Sequence, residues 1–253
     1  MKERNSIKSL LWRLLGVNYL SRRQELLEER QKDVIRNQNE LLWANKFHDS
    51  IIGSEWFRFQ TLSPGGWAVD YGFLYSLYRI LDVMRPTNIL EFGLGQSSKL
   101  VHQYATHYAK SAMTIEQSQN WIEHFSKEIN GKYDLQVKNL NVIPTSFNGF
   151  PTTTYENLHS VVSDSKYDLI LVDGPIGTEH FSRSHIMDLV QHNLANSFCI
   201  IIDDYERFGE QETVSEVKKV LDSISVDYSM TVRSASKDHC IICSSDNCHL
   251  LTI

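Results

Sequence analysis

The chain has 253 residues, 42% hydrophobic and 22% charged, with a formal net charge of −6. That composition is globular and long enough to bury a substantial core, which excludes a disordered or fibrous chain. About +5 of the charge lies in residues 1–23, leaving about −11 on the rest, and so acidic a body argues against a nucleic-acid partner.

No apolar run approaches the roughly 20 residues needed to span a bilayer. The opening "MKERNSIKSLLWRLLG" does not read as a secretory signal, because arginine interrupts its apolar part and no small-residue cleavage site follows. Four cysteines, unevenly placed, suggest reduced thiols in a cytoplasmic protein. Within residues 5–20, Ile7, Leu10, Leu11, Leu14 and Leu15 fall at helical spacing with Lys8 and Arg13 between them. Two readings stand: an interfacial helix on anionic lipid, peripheral to the inner membrane, or a docking helix packed on protein. Residues 20–45 continue as a polar helix in which Leu20, Leu27, Val34 and Leu41 recur every seven residues. The intervening positions hold mostly Arg, Gln and Asn, so this is half a coiled coil: a homodimer contact or an amphipathic surface helix. Residues 1–60 thus read as a helical extension, and residues 61–253 as the main domain.

"SPGGWAVDYG" is a loop by its Pro-Gly-Gly, and "YGFLYSLYRILDVM" a buried helix stopped by Pro86. Strands and helices then alternate. "TNILEF" is a strand and "SSKLVHQYATHYA" a helix; "SAMTIEQ" is a strand and "QNWIEHFSKEIN" a helix ended by Gly131. "LNVIPTSF" reads as a short strand and residues 148–165 as a long irregular connection. "YDLILVDG" and "SFCIIIDD" are buried strands, followed by the helices "SRSHIMDLVQHNL" and "ETVSEVKKVLDSI" respectively. The tail "YSMTVRSASKDHCIICSS" reads as two strands across a polar turn. Such alternation predicts an α/β fold with a doubly wound, mostly parallel sheet. Ligands bind such sheets at the carboxyl ends of the strands.

Five acids close those strands or follow them: Glu91, Glu116, Asp173, Asp203 and Asp204. Gly93 and Gly95 let backbone pass close to a ligand. A dinucleotide site would want a third glycine, but position 98 is serine. A ligand without a pyrophosphate tolerates the acid at Glu91. S-adenosylmethionine fits, with cationic groups for the acids and ribose hydroxyls for Glu116. A nicotinamide-dependent oxidoreductase and a non-catalytic assembly module are the rival readings.

"LEFGLGQSS", Glu116, "DLILVDGP" and "IIIDD" resemble the Rossmann-like S-adenosylmethionine-dependent methyltransferases over residues 63 to 250. More narrowly, "VDGP…SR…IIIDDYER" resembles bacterial methyltransferases encoded with surface-polysaccharide genes. The resemblance implies an O-methyltransferase whose acceptor is a sugar or sugar-linked group. It implies that Glu91, Gly93 and Gly95 face the methionine end of the cofactor, and that Gln96, Ser97 and Asp173 also bind it. Glu116 would hold the ribose, and Thr145, Ser146 or Phe147 the adenine. Catechol-type relatives bind Mg²⁺ after the fourth and fifth strands, where Asp173, Asp203 and Asp204 stand here; Ile176 replaces their lysine. Without metal, Asp173, Asp204 or His180 would be the base. Arg183 and Arg207 would pair with an anionic substrate group or with acids of the fold. His239, Cys240, Cys243, Cys248 and His249 suggest zinc at first sight, but a strand would point Cys240 and Cys243 to opposite faces. Trp67 and Tyr71 are candidates for covering the cofactor or for core packing.

Overall fold

The computed structural model describes residues 9–12, 16–59, 61–163 and 165–253. Ile7, Lys8, Arg13, Leu14 and Leu15 of the expected N-terminal helix therefore lie outside the described residues. A long helix, α1 (Val17–Ile51), begins after Gly16, whose positive φ is one glycine adopts at no cost. α2 (Tyr71–Met84) is capped by Asp70, whose carboxylate accepts the Phe73 N–H at 2.8 Å. The last turn of α1 delivers Phe47 and Ile51 into the same apolar cluster as Phe73, Leu74 and Leu77 of α2. Trp56 and Phe57 join it, so the expected boundary at residue 60 falls inside one continuous core. No helix among the described residues is long and apolar enough to cross a membrane.

The alternation expected from the sequence is present. It runs β1 (Asn88–Phe92), α3 (Gln96–Tyr108), β2 (Ser111–Glu116), α4 (Gln119–Ile129) and β3 (Val137–Asn139). After a hairpin, β4 (Val142–Phe147) and β5 (Phe150–Tyr155), and a short α5 (Leu158–Val162), come β6 (Tyr167–Val172), α6 (Ile186–His192), β7 (Leu194–Ile202) and α7 (Phe208–Ser223). β8 (Tyr228–Ser234), β9 (Asp238–Ser244) and a 3₁₀ turn complete the chain. The sheet order is β3-β2-β1-β6-β7-β9-β8, with only β9 antiparallel to its neighbours.

Alternate residues of each central strand feed opposite sides of the sheet. Ile89, Leu169, Leu171 and Ile201 face α2 and α3; Leu90, Phe92, Ile170 and Ile200 face α6 and α7. Cys240 and Cys243 fall on opposite sides and are both fully buried, as the strand reading of that segment expects. Among the described residues the one group of three or more acids, histidines or cysteines placed to share a metal does not include them.

The segment after α4 differs from expectation. The third strand of the sheet is the three-residue β3, and "VIPTSF" instead forms one arm of a separate two-stranded hairpin with β5. The 148–165 connection is thus ordered as β5 and α5. The strand order reverses between β1 and β6, which is where a doubly wound sheet opens a crevice for a ligand.

Candidate active site

The crevice is a cleft of about 520 Å³ over the carboxyl ends of β1, β2, β6 and β7. Its floor is the Gly93–Gly95 turn. Gly93 has φ +95°, and a Cβ there would lie 2.7 Å from the Asp173 carbonyl oxygen. Its N–H donates to the Ile115 carbonyl, so this glycine lets β1 turn tightly between β2 and β6. Gly95 is different: a Cβ there would meet nothing of the described residues within 4 Å, and the position lines the cleft. We therefore expect Gly95→Val to retain the melting temperature while losing more than about tenfold in affinity for S-adenosylhomocysteine by calorimetry. Unchanged affinity would move the ligand off the turn.

Glu116 ends β2 at the cleft wall. One carboxylate oxygen accepts the Leu94 N–H at 3.0 Å and the other the Ser118 N–H at 2.7 Å. Among the described residues no basic side chain pairs with it, so its charge and remaining lone pairs stay available to a ligand's hydroxyls. Gln96 also lines the cleft, its amide oxygen accepting the Ser63 N–H.

Glu91, expected at the methionine end, and Ser97, expected to bind the cofactor, do not line the cleft. Period-two alternation along β1 turns Glu91 inward beneath α3, at 1% exposure. There Ser97 Oγ donates to it at 2.7 Å and Thr114 Oγ1 at 2.6 Å. Burial pushes its pKa up to about 7, against those hydrogen bonds. His102 closes this network on Thr114, and burial holds its pKa down to about 4. Ser146 is not at this site either: with Thr145 and Phe147 it sits on the hairpin and lines a separate groove against α6 and α7. His180 also lies outside the cleft, its Nδ1 3.1 Å from Glu212 Oε2 and its ring between Phe150 and Phe208.

The later acids do converge. Oxygens of Asp173, Asp203 and Asp204 all lie within 4.8 Å of one another. Arg183, only 4% exposed, occupies their midst. Its Nη2 donates to Asp204 Oδ2 at 2.7 Å and lies 3.4 Å from Asp173 Oδ1, while Nη1 donates to the Asp203 carbonyl at 3.0 Å. Arg207 reaches Asp204 Oδ2 at 2.9 Å, and Lys237 approaches Asp203 and Asp204 at 3.7 and 3.5 Å. Burial opposes ionisation of Asp204, but these three cations together hold its pKa below the usual carboxylate range. Asp203, fully buried and with no hydrogen-bond partner for either oxygen among the described residues, is driven the other way, well above that range, first by burial and then by its two acidic neighbours. That favours its neutral form. Buried Glu210 of α7 adds a carboxylate 3.7 Å from Arg183 Nε and 4.0 Å from Arg207 Nη1, so Asp173, Asp204 and Glu210 balance Arg183, Arg207 and Lys237.

A Mg²⁺ ion does not fit this arrangement. It needs near-octahedral oxygen ligands at about 2.1 Å. Here both oxygens of Asp204 already face cations, and a guanidinium occupies the space between the carboxylates. Asp173 and Asp204 both line the cleft, but cations hold both oxygens of Asp204, which leaves Asp173 as the acid of this cluster free to act there. Burial among packed atoms pushes its pKa up to about 6, against the pull of Arg183.

Lys237 and Tyr155 complete the cleft and are not evident in the sequence. Lys237 comes from the β8–β9 turn, which Asp70 ties to α2 by accepting its N–H at 2.8 Å. Of the two covering candidates, Trp67 lines the cleft mouth and is 92% exposed, whereas Tyr71 packs on Phe47 away from it. Phe181, Arg183 and Asp204 all have positive φ, a strain of about 1–3 kcal/mol each that is tolerated where surrounding structure fixes the site.

This sheet order, with its late antiparallel strand and a ligand cleft at the reversal point, defines the Rossmann-like fold of class I methyltransferases. No family model matches the chain, and neither does any curated protein. Among solved structures, the S-adenosylhomocysteine-bound methyltransferase PaMTH1 of Podospora anserina superposes with a TM-score of 0.51 at 12% identity, over 86% of this chain and 97% of that one. The precorrin-6y C5,15-methyltransferase of Geobacter metallireducens GS-15 aligns at 11% identity over 72% of this chain and 92% of that one, with a TM-score of 0.45. The ribosomal protein L11 methylase of Lactobacillus delbrueckii subsp. bulgaricus aligns at 16% identity over 72% and 81%, with a TM-score of 0.43.

Proposed function

We propose that the chain is an S-adenosylmethionine-dependent O-methyltransferase that works without a metal and uses Asp173 as general base. The observation that carries this is one cleft holding an open glycine position, an unpaired carboxylate at Glu116 and a near-neutral acid at Asp173. Bound there, S-adenosylmethionine would supply a methyl carbon activated by its sulfonium. Gly95 leaves room for the cofactor, and Glu116 would accept hydrogen bonds from ribose hydroxyls. Asp173 would take the proton of the acceptor hydroxyl. Arg183 holds Asp173 and Asp204 in place; most of the rate would come from alignment of the acceptor oxygen.

The acceptor proposed is a polar, sugar-linked group of surface polysaccharide. Support comes from the sequence likeness and from a cleft mouth where exposed Trp67 and Ile176 could lie against a sugar ring. Four unpaired cysteines fit a reducing cytoplasm. Calorimetry should show binding of S-adenosylmethionine and none of NAD. Glu116→Ala should weaken S-adenosylhomocysteine by about 1–3 kcal/mol, the scale of a charge-assisted hydrogen bond. Equal affinity in that variant would remove Glu116 from the ribose role, and tight NAD binding would overturn the cofactor itself.

A further inference from the structure

From residue 19 to residue 38 every side chain of α1 is exposed, although Asp33, Arg36 and Asn37 border an open groove against Pro64, Gly65 and Gly66 of the body. A helix with no packed face is marginal in water, because most helical stability in proteins comes from tertiary packing. Yet this one carries eight large apolar side chains at 52–67% exposure: Tyr19, Leu20, Leu26, Leu27, Val34, Ile35, Leu41 and Leu42. At 100° per residue they form a single stripe about half a turn wide and roughly 35 Å long. Phe47 and Ile51, which anchor the helix to α2, lie about a third of a turn round from its midline. The stripe therefore faces away from the body.

Two features say what covers it. The first is symmetry. The eight positions mirror one another about the midpoint between Arg30 and Gln31: 27 with 34, 26 with 35, 20 with 41, 19 with 42. A two-fold axis there would set Leu27 against Val34 and Leu20 against Leu41 of an antiparallel copy, as a self-complementary contact requires. The second is charge. The acids of this segment, Glu25, Glu28, Glu29, Asp33 and Glu40, all fall outside the stripe, so no carboxylate would be buried. Within it, Arg23 and Arg30 interleave with Gln24, Gln31, Asn37 and Gln38. A parallel pairing would bring Arg23 onto Arg23 as well as Arg30 onto Arg30; the antiparallel one parts the two Arg23 side chains and sets each at the level of Gln38 of the other copy.

We propose that the stripe on α1 is the interface of an antiparallel homodimer, with the two catalytic bodies at opposite ends of the helix pair. Light scattering of the full chain at tens of micromolar should give twice the chain mass. Leu27→Glu combined with Val34→Glu should give a monomer with unchanged S-adenosylhomocysteine affinity, since both positions are exposed and neither lines the cleft. Orientation is read by disulfides in a Cys248→Ser background. A mixture of Leu20→Cys and Leu41→Cys chains should cross-link to each other and not to themselves. Self-linking of Leu20→Cys chains would mean a parallel pair and overturn the proposal. So would a monomeric wild type, including one that floats with anionic phosphatidylserine vesicles, for then the stripe serves a lipid surface.

Discussion

Replacing Asp173 with asparagine is expected to lower methyl-transfer turnover by about 10²–10⁴, the usual contribution of a positioned general base. Affinity for S-adenosylhomocysteine should stay within about threefold, because the amide keeps the shape of the cleft wall. The sign of the pH dependence follows from the raised pKa. Asp173 can accept a proton only when ionised, so kcat/KM should rise with pH through about 6 and level off above it. Asp173→Asn should lose that limb as well as the rate. Exhaustive EDTA treatment should leave the wild-type rate unchanged, since Arg183, Arg207 and Lys237 already balance the carboxylates. Activity lost on chelation and restored by Mg²⁺ would show that the guanidinium yields its place to a metal. Full activity in Asp173→Asn would move the base elsewhere.

How much of this was legible in the sequence differs from one element to the next. The strand "YDLILV" was readable because a strand buried on both faces is a largely apolar run, and "YGFLYSLYRILDVM" because its helix is buried along one face and stopped by Pro86. The third strand was not. "VKN" has three residues, largely exposed, and offers no pattern, whereas "VIPTSF" nearby looks more like a strand and is one, but in a hairpin of its own. The adenine candidates Thr145, Ser146 and Phe147 were therefore placed on the wrong sheet.

At the site, alternation located the rim acids but could not tell which side each would face. Asp173 and Glu116 face the cleft; Glu91, one residue short of the end of β1, faces the core. His180 failed for another reason. A loop residue's direction is set by its partners, and Glu212, 32 positions later on α7, holds it away. Arg183 was suspected of pairing with acids of the fold, and it does. Lys237 gave no signal at all, because a lysine in a polar hairpin turn is ordinary until Asp70 fixes where the turn lies.

Glu91 carries the other large effect, on stability rather than turnover. Burial disfavours its charged form more than Ser97 and Thr114 favour it, and pushes its pKa from the ordinary 4.5 up to about 7. A raised folded pKa means the unfolded chain releases this proton first. The stability that protonation contributes is complete below about pH 4.5 and declines as pH rises to 7. By pH 8 the loss from this one group amounts to about 3 kcal/mol. Glu91→Gln removes the titration while keeping the shape, and its amide can donate to Ser97 Oγ. Relative to wild type, the variant should therefore gain stability steadily from pH 5 to 8, reaching about 3 kcal/mol, or roughly 6–10 °C in melting temperature for a chain this long. Urea unfolding of both proteins at each pH isolates Glu91, since every other titrating group cancels in the difference. Parallel stability curves would show that the carboxylate is ionised throughout. S-adenosylhomocysteine affinity should be unchanged at every pH, because the side chain lies beneath α3 and not in the cleft; a large loss would return Glu91 to the cofactor's methionine end.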